Sequence, residues 1–70
     1  MEVNILDFGA IADGKTMNTK AIQAAIDECA KEGGRVVIPS GTFVSGSLFL
    51  RSNIELHLSH NAHLRASDNL

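Results

Sequence analysis

Three groups of residues in this 70-residue chain have types and spacings that could do chemistry. Gly9-Ala10-Ile11-Ala12-Asp13-Gly14-Lys15-Thr16 fits the phosphate-binding pattern G-x-x-x-x-G-K-[ST], in which bare amides and a lysine surround an anion. His57, His60 and His63 recur every three residues, which invites a metal reading. Eight acids, Glu2, Asp7, Asp13, Asp27, Glu28, Glu32, Glu55 and Asp68, are the pool from which a carboxylate pair for glycoside cleavage would be drawn. Arg51 and Arg65 could meet an acidic sugar, and Cys29 is the one thiol.

Each group meets a physical objection. Asp13 would sit inside the phosphate cradle and repel the anion, and Asp7 is uncomfortable in a strand buried on both faces. Val36-Val37-Ile38 runs into Pro39 rather than into a metal-binding aspartate. Nucleotide binding is therefore a minor alternative, a chance match over an Asp-Gly turn. Asp7-Phe8-Gly9 copies a kinase triplet without the other kinase elements. The three histidines straddle a corner, so period-2 strands do not put them on one face. Asp27, Glu28 and Glu32 fall on a wet helix surface, and no two acids fall on adjacent strands of one face. Solvated arginines on corners and a core cysteine complete this reading. No residue is assigned a catalytic, cofactor-binding or metal role, and no cofactor is expected.

The elements that would position these side chains are small. One domain at most fits in 7.5 kDa, and a chain of this length buries a modest share of its surface. Leu, Ile, Val and Phe supply 20 of the 70 residues, enough to argue against disorder. Six Lys and Arg against eight Asp and Glu give a net charge of -2 with no basic stripe. Nucleic acid is thus a poor partner, as is an anionic membrane. A lone cysteine excludes an intrachain disulfide framework. Met1 to Ile5 has neither the basic nor the apolar region of a secretory signal. As written, the chain is expected in the cytoplasm, or outside the cell if a leader has been trimmed.

Val3 to Phe8 reads as an opening strand and Gly9 to Lys15 as a loop turning on Asp13-Gly14. Asn18, or alternatively Thr16, should cap a helix by accepting from its first amides. Ile22, Ala25, Ile26 and Cys29 then form an apolar stripe, with Lys20, Gln23, Asp27, Lys31 and Glu32 on the wet sides. Gly33-Gly34 ends this helix. Val36 to Ile38 is a buried-type strand stopped by Pro39-Ser40-Gly41. Short strands follow at Thr42 to Val44, Ser47 to Leu50, Ile54 to Leu58 and Ala62 to Ala66. In the third of these, Ile54, Leu56 and Leu58 share one face and Glu55 and His57 the other. One helix followed by strands that turn a corner every six to nine residues suits a coil of parallel strands, a β-solenoid.

Several stretches taken in order closely resemble a known family. They are Asn4-Ile5-Leu6-Asp7-Phe8-Gly9-Ala10, Asp13-Gly14-Lys15-Thr16, the run from Thr19 to Asp27, Gly33-Gly34-Arg35-Val36-Val37-Ile38-Pro39, Gly41-Thr42-Phe43, and Leu48 to Leu58. Together they resemble the amino-terminal segment of glycoside hydrolase family 28, the polygalacturonases and their relatives. A weaker likeness extends to other pectate-lyase-type β-helix proteins.

The resemblance implies a mainly β fold, in which an amino-terminal cap helix covers the first rung of a right-handed parallel β-helix. Residues 1–41 would be the opening strand, cap helix and first buried strand, and residues 42–70 the first rung of an unfinished coil. Phe43, Leu48, Leu50, Leu56 and Leu58 would point into it. The implied parent hydrolyses α-1,4-linked galacturonate with inversion, through aspartates in Asn-x-Asp and Asp-Asp motifs beside Gly-His-Gly and Arg-x-Lys. None of these motifs occurs here, so the 70-residue piece alone is expected to lack activity. The parent's partner would be pectic polysaccharide or oligogalacturonide. The rival reading is a structural β-helix fragment that pairs through its open edge, with the rest of the coil or with itself.

Overall fold

Asn4 decides where the first strand stops. In the computed structural model, which describes residues 1–67, strand β1 (Glu2–Asn4) is three residues long. The Asn4 side chain then accepts from the Leu6 amide at 2.9 Å and turns the chain into a 3-10 turn over Ile5–Phe8. The strand expected to run to Phe8 is therefore cut short by a side-chain bond that competes with the sheet ladder.

Helix α1 (Thr19–Ala30) buries Ile22, Ala25, Ile26 and Cys29, the stripe expected from their spacing. At its start Asn18 contributes its backbone carbonyl to Ile22 N (2.9 Å), while its side chain makes no capping bond. That carboxamide is used elsewhere, which corrects the expected cap. At the other end Gly33, with φ +83°, brings its amide to the Cys29 carbonyl at 2.8 Å. Asn53 Nδ2 takes the free Ala30 carbonyl at 2.8 Å, so a distant corner finishes the helix.

Four strands follow: β2 (Gly34–Ile38), β3 (Gly41–Ser45), β4 (Ile54–Leu58) and β5 (Ala62–Ala66). All strand pairing among the described residues is parallel. One sheet has the order β1-β2-β4 and a second pairs β3 with β5. Gly34 lies opposite Ile54 and Gly41 opposite Ala62, so the chain returns to register after twenty and twenty-one residues. Parallel neighbours usually need a helical crossover; here the return path from β2 to β4 is another strand and two corners. The corners stack as the strands do. Ser59 N donates to Ile38 O (2.9 Å), Gly41 N to Asn61 O (3.1 Å), and the Ser40 hydroxyl to the His60 carbonyl. Asn61 turns its corner in the left-handed region, φ 63°, which asparagine tolerates better than most residues.

The expected strand at Ser47 to Leu50 is absent, and the reason is its neighbour. The segment runs along α1 and bonds to helix side chains. Gly46 N donates to Thr19 Oγ1 at 2.8 Å, and Gln23 both accepts from Phe49 N (2.8 Å) and donates to Phe49 O (3.0 Å). Leu50 and Phe49 consequently face water, 61% and 73% exposed, rather than entering the core. Leu48 and Leu56 pack partly against that core, and Leu58 at the strand end is more open. The core joins Val3, Ile5, the helix stripe, Val36, Ile38 and Phe43 in one cluster between α1 and the strands. The architecture is thus mainly β with one helix, as expected.

Candidate functional site

The loop that fits the phosphate pattern is filled by its own carboxylate. Asp13 Oδ1 accepts from Lys15 N (2.9 Å) and Thr16 N (2.7 Å), and Oδ2 from the Thr16 hydroxyl (2.6 Å). These bonds, led by that from the Thr16 hydroxyl, hold the Asp13 carboxyl down to about 2. The amides that a phosphate would need are already occupied. The loop also does not run straight into the helix. Met17 bridges to Val44 in parallel fashion, and Asn18 N donates to Val44 O at 2.8 Å, so this stretch lies along the edge of β3.

Asn18 is the buried polar residue that organises the loop. Its Oδ1 accepts from Ile11 N (2.8 Å), and its Nδ2 donates to Ile11 O (3.0 Å) and Thr16 O (3.1 Å). Burial at 2% exposure is tolerated because each polar atom has a partner. Cys29 is wholly buried in the core, where the sequence placed it.

The three histidines are not brought together. His57 lies on β4, His60 in the following corner and His63 on β5, in register with Thr42. Register does create one charge ladder that spacing alone did not reveal. Glu2, Arg35 and Glu55 sit opposite one another on β1, β2 and β4. Arg35 approaches Glu2 at 4.0 Å and Glu55 at 3.6 Å, while His57 Nδ1 is 3.9 Å from Glu55. The only signal for it was the twenty-residue step from Arg35 to Glu55, unreadable until the parallel pairing is known. Both carboxylates are more than half exposed and share one guanidinium. They lack the apolar enclosure that turns a carboxyl into a proton donor.

On the helix side, Asp27 accepts from Gln23 (3.1 Å) and from Arg51 Nη2 (3.0 Å) and Nε (3.2 Å). The Gln23 bond, then Arg51, lowers the Asp27 pKa below the usual carboxylate value. Arg51 is therefore a tether between the corner and α1. Arg65, read as a corner residue, lies instead within β5, exposed, two residues from His63. Asp7 is exposed in the 3-10 turn, Glu28 pairs with Lys31 at 3.1 Å, and Asp68 lies outside the described residues. Among the described residues the structure shows polar tethers and a ladder, and no assembled acid pair facing a cleft.

The same arrangement recurs in larger proteins. A family 28 exopolygalacturonase of Yersinia enterocolitica superposes with a TM-score of 0.93 at 58% identity, over 99% of this chain and 12% of that one. An exo-poly-alpha-D-galacturonosidase of Dickeya chrysanthemi is 48% identical over 67 residues, which are 96% of this chain and 11% of that protein. Alginate lyase 7 of Azotobacter vinelandii is 48% identical over 63 residues, covering 77% of this chain and 7% of the lyase. The chain thus spans only about a tenth of the length of these three proteins. These matches bear out the resemblance to the amino-terminal segment of glycoside hydrolase family 28. Residues 2–59 fit the family model described as rhamnogalacturonase A/epimerase, pectate lyase-like, and it is to this family that the chain belongs.

Proposed function

We propose that the chain is the amino-terminal cap and opening coils of a right-handed parallel β-helix hydrolase of the polygalacturonase type. The observation that carries this is the in-register return of the chain after twenty and twenty-one residues, in a segment superposing on an exopolygalacturonase at 58% identity. This register supports counting β2 and β3 as one coil and β4 and β5 as the start of the next, with the coil boundary between Asn53 and Ile54. In this reading α1 lays its apolar stripe over the end of the coil and keeps the first rung from water.

The parent's activity is inverting hydrolysis of α-1,4-galacturonan or a related pectic oligosaccharide, performed by carboxylates outside these 70 residues. The segment's contribution is to hold the first coil in register, through the Asn18 and Gln23 tethers, so that later coils stack on it. Release of reducing ends from polygalacturonate tests this directly. The intact protein should release them and the 70-residue chain should not. An intact protein inert on polygalacturonate, or an active 70-mer, would sink the reading.

A further inference from the structure

The outer face of β5 carries an arginine and a histidine that the fold does not use. His63 and Arg65 alternate along the strand, so both project from the same face about 6.5–7 Å apart. Phe43 and its register partner Leu64 belong to the core and its margin, which puts Thr42, His63 and Arg65 on the opposite side. Arg35 and Arg51 each have a carboxylate within 4.0 Å, and so does Lys31. Arg65 has no ion pair or side-chain hydrogen bond among the described residues, and its register partner is Val44. The Asp13 carboxylate, on the loop that runs along β3, already accepts from the Lys15 amide and from the amide and hydroxyl of Thr16. Lys15 and Lys20 also have no carboxylate partner among the described residues, but they lie on a loop and on α1 rather than on a strand face.

We propose that Arg65 and His63, with the Thr42 hydroxyl beside them, form an outlying subsite for a carboxylate of a polyuronate chain. The guanidinium fork offers two parallel donors matched to one carboxylate. Register places His63 beside Thr42, so in this subsite the imidazole and hydroxyl are the groups that would hydrogen-bond the hydroxyls of the same sugar. A sheet face is the right support for this, since strand pairing fixes the spacing of the three groups. The subsite binds polymer and takes no part in bond cleavage. This inference rests on the polygalacturonase reading for its ligand class.

The test uses the intact protein, comparing wild type with Arg65→Ala, His63→Ala and Arg65→Lys. On polygalacturonate at low ionic strength, Arg65→Ala should raise KM by about two- to five-fold with kcat unchanged, in the range of one exposed charged contact. The effect should shrink in high salt, be smaller for Arg65→Lys, and vanish on the galacturonate disaccharide. An unchanged KM on the polymer overturns the subsite, and so does an equal rise on the disaccharide or a fall in kcat alone. If wild type cleaves nothing, the functional reading fails. Retardation in a gel containing polygalacturonate, measured for each protein against its own mobility in a polymer-free gel, then judges the subsite alone: greater retardation of wild type than of Arg65→Ala supports it, and equal retardation overturns it.

Discussion

The Asn18 carboxamide closes a ring on the backbone of Ile11, donating to its carbonyl at 3.0 Å and accepting from its amide at 2.8 Å. It stands in for one residue of strand pairing and fastens the loop to the start of α1. Replacing it leaves the part-buried backbone groups of Ile11 and Thr16 without their partner, so Asn18→Ala should cost about 1–2 kcal/mol. Asn18→Asp should cost at least as much, because a carboxylate keeps the acceptor and loses both donors. Urea unfolding of the intact protein checks this: the midpoint should fall at unchanged slope. A shift below that of a surface substitution such as Lys20→Ala would show the ring to be dispensable.

Gly34 is fixed by contact and Gly9 by backbone alone. A Cβ on Gly34, at φ +140°, would collide with the Met1 carbonyl, and Arg35 N donates to that same oxygen at 2.8 Å. A Cβ on Gly9, at φ +92°, would meet nothing within 4 Å. Gly9→Ala should therefore cost about 1–2 kcal/mol of left-handed strain. Gly34→Ala should cost more, on the order of 3 kcal/mol, because β1 must move off β2. Thermal melts of the two variants decide it, and equal losses would refute the contact argument.

The sequence was legible wherever burial imposed a period. The stripe from Ile22 to Cys29 and the strands Ile54–Leu58 and Ala62–Ala66 follow from spacing. It was illegible wherever one side chain overrode that period. Val3 to Phe8 looks like a strand, yet the Asn4 side chain ends it. Ser47 to Leu50 has strand composition, but its hydrogen-bonding neighbour is Gln23, twenty-six residues from Phe49 and on a helix. The Glu2–Arg35–Glu55 ladder and the shared face of Thr42 and His63 depend on register. No local pattern encodes register between strands twenty residues apart.

Acid should loosen the loop and the helix tether together. The bonds from the Thr16 hydroxyl and from the Thr16 and Lys15 amides hold the Asp13 carboxyl down to about 2, well below the usual carboxylate range. A depressed folded value means its stabilisation is complete above about pH 4 and is lost as pH falls toward 2. Asp27 is lowered too, by Gln23 first and Arg51 second, so its protonation weakens the contacts that hold Phe49 and the corner at Arg51. Melting temperatures stepped from pH 5 to pH 2 should fall, and Asp13→Asn should be less stable at pH 5 but converge with wild type near pH 2. Parallel curves for the two proteins would show that Asp13 does not drive the loss.

The outer edges of β4 and β5 have no strand beside them among the described residues, since each pairs on one side only, with β2 and β3. Backbone donors and acceptors along such edges are templates for another strand, and Leu58 at the end of β4 is 43% exposed. One core below about 70–80 residues rarely supplies more than ~3–5 kcal/mol, and the one cysteine is a free thiol. The isolated 70-residue chain should therefore be partly unfolded or associated, whereas in the longer hydrolase proposed above a following coil would cover both edges. Sedimentation of the isolated chain should give a mass that rises with concentration, or a unit of 7.5 kDa with poorly dispersed amide resonances. A dilute monomer with sharp, dispersed resonances would mean that α1 and two partial coils suffice, and that the edges need no cover.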